Sequence, residues 1–142
     1  MQPPDRKRLA RLQRLERIRA IAKQTAAAEA AEAEGTLAQL LALAERTGRL
    51  ADDYAARRDI ADAGALQQLA QFREGLAVVS RGTLADAARA RTHAALKLQQ
   101  LSEAERRRQA VDDRARAEAK ALAAHGGQAP VGPRKPLGTG LE

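Results

Sequence analysis

The sequence predicts an all-α protein in which two long helices form an antiparallel coiled-coil hairpin, followed by a disordered C-terminal tail. Proline is absent between Pro4 and Pro130, so nothing in that stretch forces a helix to end. Apolar residues recur there in steps of three and four, the spacing of one helix face. Alanine, the best helix former, supplies about a quarter of the chain. These three observations favour a narrow Leu/Ala seam over a globular core.

The first helix is expected over about residues 5–59. Pro3-Pro4-Asp5 suits a helix start, because proline is tolerated in a first turn and Asp5 can cap it. Its apolar stripe contains steps of four near Ala22, which locally unwind a supercoil. The predicted stripe is Leu12, Leu15, Ile18, Ala22, Ala26, Ala30, Ala33, Leu37, Leu40, Ala44, Thr47, Ala51 and Tyr54.

A turn is expected at about residues 60–65, within the turn-like run Asp59–Gly64. The second helix then covers about 66–125, and the hairpin domain 1–125. The register that follows brings Leu98 near Ala26 and Val111 near Leu12. The second predicted stripe is Leu66, Leu69, Phe72, Leu76, Val79, Thr83, Ala87, Ala90, Ala94, Leu98, Leu101, Ala104, Arg108, Val111, Ala115, Ala119 and Leu122.

Residues 126–142 differ in composition from the arms. Gly126-Gly127 and the prolines that follow end the second helix, with His125 in its last turn. The segment 126–142 is therefore predicted to be a disordered Gly/Pro-rich tail.

The charge of the chain indicates which classes of partner it could bind. The formal net charge is +7, and arginine outnumbers lysine four to one. Arginine pairs with carboxylates and phosphates, so the chain suits an acidic protein surface, a nucleic acid or anionic lipid. A solvated helix face explains much of the same charge. The Arg-rich start also resembles a mitochondrial transit peptide, a less favoured interpretation because the heptad phase continues past Leu37.

No arrangement of residues indicates an enzyme, a metal site or a cofactor. His93 and His125 are too far apart on one helix to share a metal. Cysteine is absent, and no serine lies in a nucleophile-elbow motif. The carboxylate pairs, such as Asp52-Asp53, point in different directions on a helix. We therefore expect a binding protein with no catalytic residues and no cofactor.

Two basic clusters are brought to one end of the predicted hairpin. One interpretation is docking of an acidic partner, and the other is ion pairing with acids such as Glu16 and Asp112. Direct nucleic-acid recognition is less favoured, because stacking aromatics are absent from that end. The candidate contact residues are Arg8, Arg11, Arg14, Arg107 and Arg108.

Large apolar side chains collect near the turn. A two-helix core is thin, so we expect at least one of them to remain partly exposed. They form either the core of the hairpin tip or a partner-binding patch. The candidates are Tyr54, Leu69, Phe72, Leu76 and Val79.

Three segments form a recognisable combination: the basic start Arg6–Leu15, the segment Ala63–Leu76 with Gly64, Phe72 and Leu76, and the run Arg106–Gln109. Together they resemble the flagellar export protein FliJ family and, more loosely, YscO-like injectisome proteins. The resemblance covers most of residues 6–122. The chain departs from the family at paired tyrosines late in the first helix, where it has Thr47, Leu50 and Tyr54.

The resemblance implies a non-enzymatic stalk of a type III export apparatus, located in the cytoplasm at the inner-membrane face of the flagellar basal body. Its partners would be the hexameric export ATPase, the cytoplasmic domain of the export gate protein and export chaperones. Phe72 and Leu76 match family positions associated with gate binding. Two alternatives are a basic coiled-coil module that binds nucleic acid and a structural dimerisation module.

Overall fold

The structure is a computed structural model that describes residues 2–57 and 62–127. It contains helix α1 (Arg6–Ala55, 50 residues) and helix α2 (Ala63–Gly126, 64 residues). These helices hold 93% of the described residues, which include no strand. The two helices contact each other as an antiparallel hairpin, so the predicted fold class is confirmed.

Asp5 caps α1 as the sequence predicts. Its side-chain Oδ1 accepts a hydrogen bond of 2.9 Å from the Lys7 amide, which has no partner within the helix. The Asp5 amide donates to Glu118 Oε1 at 2.7 Å, so the start of α1 is also bonded to α2. At the other end, α1 stops at Ala55, before the expected residue 59. Residues 58–61 lie outside the described part of the chain.

Helix α2 begins at Ala63, three residues before the expected start. Asp62 is its cap, because Asp62 Oδ1 accepts a hydrogen bond of 2.7 Å from the Ala65 amide. Gly64, which we expected in the turn, lies in the first helical turn and does not have a positive φ. The aspartate therefore determines this boundary more strongly than the glycine.

The end of α2 is close to the prediction. His125 lies in the last turn, and Gly126, which we assigned to the tail, is the last helical residue. The Gly127 amide donates to the Ala123 carbonyl at 3.1 Å and so continues the helical bonding beyond it. The predicted disorder concerns residues 128–142, which lie outside the described residues. No described helix is both long enough and apolar enough to cross a membrane.

The hairpin consists of two compact units. The terminal unit comprises Met1–Ala20 and Arg106–Glu142, and the inner unit comprises Ile21–Glu105. The described residues of the terminal unit include thirteen Lys or Arg and five Asp or Glu. Those of the inner unit include nine Lys or Arg and eleven Asp or Glu. The positive charge of the described chain is therefore concentrated in the terminal unit.

Small residues form the buried seam in both units, as predicted. Thr47 and Thr83 are buried without loss of hydrogen bonding, because their hydroxyls donate to the carbonyls of Leu43 (2.8 Å) and Val79 (2.9 Å). The buried apolar residues are Ala30, Ala33, Ala87 and Ala94 in the inner unit and Val111 and Ala115 in the terminal unit. All eight buried positions belong to the two predicted stripes.

Several other positions of the predicted stripes are wrong. The protected positions keep a strict alternation of four and three, which places charged residues in the seam. Glu16 and Arg19 are partly buried in place of Leu15 and Ile18, Lys23 in place of Ala22, and Lys97 in place of Leu98. Likewise Ser80 replaces Val79 and Glu118 replaces Ala119, while Leu66 and Phe72 are also exposed. Continuous heptad register therefore outweighs the burial of individual apolar side chains.

Candidate protein-binding surfaces

Ion pairs between the helices compensate for charge in the seam. In the terminal unit, Glu16 pairs with Arg108 at 3.4 Å and Glu118 with Arg8 at 3.7 Å. In the inner unit, Lys23 pairs with Glu105 at 3.0 Å and Lys97 with Glu29 at 3.1 Å. The Glu16–Arg108 and Glu29–Lys97 pairs agree, to within one helical turn, with the register expected from the sequence.

The five candidate arginines of the terminal unit separate into three groups. Arg8 and Arg108 are held by Glu118 and Glu16, so the ion-pairing interpretation applies to them. Arg14 is exposed, and its Nε donates weakly to the Ala10 carbonyl at 3.4 Å. Arg11 and Arg107 are exposed and have no ion-pair partner among residues 2–57 and 62–127. These two are therefore free to bind an acidic partner.

The free arginines lie on one side of the seam. A groove on the other side is lined by Leu9, Gln13, Asp112 and Arg116, among others. Arg11 is two residues from both Leu9 and Gln13, which places it on the opposite side of α1. Arg114 is likewise two residues from both Asp112 and Arg116, and it has no ion-pair partner in the described chain.

Two exposed apolar residues accompany these arginines. Leu15 and Ile18 follow Arg11 by four and seven residues, and Arg114 follows Arg107 by seven, so each set shares a helix face. Ile18 is 61% exposed. We call this surface the arginine flank: Arg11, Leu15, Ile18, Arg107 and Arg114. Arg114 belongs to the predicted basic cluster but was not among the predicted contact residues, and Leu15 and Ile18 were predicted to lie in the seam, from which strict four–three spacing would have excluded them.

The candidate apolar surface of the inner unit is centred on two aromatic rings. Tyr54 and Phe72 contact each other across the hairpin, with ring centroids 4.6 Å apart. The Arg57 guanidinium lies 4.5 Å from the centre of the Tyr54 ring, a cation–π geometry. Phe72 remains 45% exposed and Val79 52% exposed, whereas Leu69, Leu76 and Tyr54 are half-buried. The expectation that a large side chain near the turn stays partly exposed is confirmed.

The two sides of the seam differ in this region. Small and charged residues, Ala51, Asp52, Ala55, Ala70, Arg73, Glu74 and Ala77, line a groove on one side. Phe72 is not among the residues that line this groove. Its exposed face therefore belongs to the opposite side of the seam.

A third surface, which the sequence analysis did not identify, is a charged groove in the inner unit. Acidic residues from α1 face basic residues from α2 across a floor of alanine. The groove is lined by Glu29, Glu32, Ala33, Thr36, Arg89, Ala90, His93 and Lys97. The described residues contain no group of three or more His, Asp or Glu side chains that could hold a metal ion.

Comparison with known proteins does not assign a family. No family model matches the chain, and no curated protein or solved structure matches it.

Proposed function

We propose that this chain is a non-enzymatic stalk protein of a flagellar type III export apparatus, which couples the hexameric export ATPase to the export gate. The observation that carries the proposal is the separation of charge and apolar surface along one hairpin. The terminal unit has a large excess of arginine, with Arg11 and Arg107 unpaired. The inner unit is nearly balanced in charge and exposes Phe72 and Val79.

The arginine flank supports binding to the ATPase. Its guanidinium groups have no carboxylate partner within the described chain, so an acidic partner surface would supply the missing hydrogen-bond acceptors. Leu15 and Ile18 add apolar contact area between these charges. A surface of this kind gives rapid, salt-dependent association together with a desolvated centre.

The surface around Phe72 supports binding to the cytoplasmic domain of the gate protein. Phe72 packs against Tyr54 on one side and is exposed on the other, so it presents an aromatic ring that a partner could bind. Tyr54 contributes one aromatic ring to this surface, although the chain lacks the paired tyrosines that the family has late in the first helix. The proposal places the chain in the cytoplasm, at the inner-membrane face of the flagellar basal body, where it also escorts export chaperones.

The test compares two charge reversals in the full chain, measured as binding to the purified export ATPase and stimulation of its ATP hydrolysis. Arg11→Glu with Arg107→Glu should weaken binding at least about tenfold, because unpaired cations are replaced by anions. Arg46→Glu with Arg91→Glu changes the net charge equally in the inner unit. Both of those arginines are exposed and unpaired within the described residues, and their replacement should leave binding unchanged.

Equal loss of binding in both variants would contradict the proposal, since it would show dependence on net charge alone. Binding to duplex DNA is the second measurement. Affinity for DNA that falls by orders of magnitude between low and physiological salt, with no ATPase binding, would instead favour a nucleic-acid-binding module.

A further inference from the structure

The charged groove of the inner unit continues into an apolar surface at heptad spacing. On α1, Thr36 lines the groove, and Leu43 and Leu50 follow at intervals of seven residues. On α2, His93 lines the groove, and Val79 and Phe72 precede it by fourteen and twenty-one residues. Because heptad positions keep the same orientation along a coiled coil, these residues share one side of the seam. We call this side the leucine flank.

The leucine flank exposes four large apolar side chains within the described chain, and Arg46 and Asp86 are exposed at the heptad positions of Glu32 and His93. Leu43 is 44% exposed and Leu50 is 41% exposed, which is comparable to Phe72 and Val79. All four side chains come from adjacent turns of two packed helices, so they form a continuous strip. A strip of this kind marks an interaction surface.

Two glycines shape the same surface. Gly82 and Gly75 precede the groove residue Arg89 by seven and fourteen residues, so they also lie on the leucine flank. A Cβ atom built on either glycine has no neighbour within 4 Å, so packing inside the hairpin does not require them. Glycine is the poorest helix former apart from proline, so these two positions lower helix stability, and they leave room at the surface for a close approach by another helix.

The register places leucine opposite glycine. The Glu29–Lys97 ion pair (3.1 Å) and the Tyr54–Phe72 contact give the pairing of levels along the two helices. To within one residue, Leu43 lies level with Gly82, Leu50 with Gly75, and Glu32 with His93. Each of the two leucines of α1 therefore lies beside a glycine of α2, and Glu32 lies beside His93.

We propose that the leucine flank binds a second copy of this chain. When the two-fold axis runs parallel to the helices, α1 of one copy lies over α2 of the other at the same level, antiparallel to it. Leu43 and Leu50 of each copy then enter the spaces above Gly82 and Gly75 of its partner, as knobs enter holes. Glu32 of each copy meets His93 and the nearby Arg89 of the other.

Charge complementarity is the argument for a second copy over another protein. The acids of the groove belong to α1 and the bases to α2. A two-fold axis parallel to the helices brings α1 of one copy against α2 of the other, so Glu29 and Glu32 meet the basic groove residues of the partner copy, of which Arg89 also pairs with Asp86 of its own helix. The inner unit is also nearly neutral, so its self-association meets little repulsion.

This interface does not depend on the export function proposed above, but it has a consequence for it. Phe72 and Val79 belong both to the leucine flank and to the proposed gate-binding surface. A dimer covers them, so self-association and gate binding exclude each other. Dissociation of the dimer would then be required before the gate is bound.

Sedimentation equilibrium of the full chain, from micromolar to near-millimolar concentration, tests the proposal without any partner protein. We expect a reversible monomer–dimer equilibrium. Leu43→Gln with Leu50→Gln should raise its dissociation constant at least about tenfold, because two apolar knobs per copy are lost. The matched control is Leu41→Gln with Leu84→Gln, two leucines that are also exposed, each two residues from a flank position and so on the other side. The control should not change the constant.

A second variant separates association from folding. Gly75→Gln with Gly82→Gln fills the two holes while raising helix propensity. Thermal stability of the hairpin should increase while dimerisation weakens, and a general loss of structure cannot produce this combination. If dimerisation persists unchanged in this variant, the proposed interface is overturned.

A charge exchange tests the arrangement of the two copies. Glu32→Arg alone and His93→Glu alone should each weaken the homodimer, because each places like charges together. A mixture of the two variants should form the heterodimer preferentially, since the introduced arginine of one copy then faces the introduced glutamate of the other. Failure of the mixture to associate would overturn the parallel two-fold arrangement. A wild-type chain that remains monomeric at every concentration would overturn the whole proposal and leave the flank to a helix of another protein.

Discussion

The rings of Tyr54 and Phe72 contact each other across the hairpin with centroids 4.6 Å apart and an interplanar angle of 53°. This tilted pair joins α1 to α2 through two large side chains, whereas most of the buried residues of the seam are alanine. Phe72 is still 45% exposed, so only part of its surface contributes to folding. Its other face is available to a partner.

We expect Phe72→Ala to lower the free energy of unfolding by about 1–2 kcal/mol, since roughly half of the ring is buried. A fully buried phenylalanine would cost about 3–5 kcal/mol. Binding to the cytoplasmic domain of the export gate should fall much more than stability does. Chemical denaturation and a binding titration at the same temperature measure the two effects.

Val78→Ala is the control for that prediction. Val78 is 56% exposed, and it lies one residue, and therefore about 100°, away from Val79 on α2. Its loss should change neither quantity appreciably. If binding by the Phe72 variant falls only in proportion to its unfolded fraction, Phe72 is a core residue and not a contact residue.

Asp62→Ala should destabilise the hairpin by about 1 kcal/mol, because the Ala65 amide would lose its hydrogen-bond acceptor at the start of α2. Asp53→Ala is the matched control, since Asp53 is exposed within α1 and has no hydrogen-bond partner among the described residues. Thermal unfolding followed by circular dichroism compares the two. Equal melting temperatures for both variants would show that α2 does not depend on this cap.

Glu16 and Arg108 should show measurable coupling in a double-mutant cycle. Their side chains are only 27% and 21% exposed, so water screens the pair less than it screens a surface pair. We expect a coupling free energy of about 1 kcal/mol from denaturant unfolding of Glu16→Gln, Arg108→Gln and the double variant. The Glu45–Arg49 pair, at 65% and 70% exposed, is the control and should show no measurable coupling. Similar coupling free energies for both pairs would mean that partial burial in the seam does not strengthen the Glu16–Arg108 ion pair.

The sequence was sufficient to predict the hairpin and most of its seam, because helix propensity and heptad spacing act locally. Asp5 and the buried alanines followed directly from these rules. It was not sufficient to place Leu15, Ile18 and Leu98, which we assigned to the seam because they are apolar. The structure exposes all three and places Glu16, Arg19 and Lys97 there instead.

The reason is that a side chain's position depends on the register of the whole helix and on its partner across the seam. Lys97 is acceptable in the seam because Glu29 lies 3.1 Å away on α1, and that contact cannot be read from α2 alone. Placing a charged residue in the seam also has a free-energy cost when it lacks a partner. The Nε of Arg19 is buried without a hydrogen-bond partner in the described part of the chain. Four displaced apolar residues lie beside the seam, Leu15 and Ile18 in the arginine flank and Phe72 and Val79 in the leucine flank. The candidate surfaces therefore result from the same register constraint that the stripe-based prediction overlooked.

Separated helices should lose much of their helicity. In the seam the buried residues are mostly alanine, and the ion pairs join α1 to α2, so each helix depends on the other for its packed face. The full chain should show more than roughly 75% helix by circular dichroism, in line with the lengths of α1 and α2. Peptides covering Arg6–Ala55 and Ala63–Gly126 should each show a clearly lower value. Mixing them at equal concentration should recover helicity in a concentration-dependent way. If each peptide alone is as helical as the full chain, propensity and not packing stabilises these helices, and substitutions in the seam should then have little effect on melting.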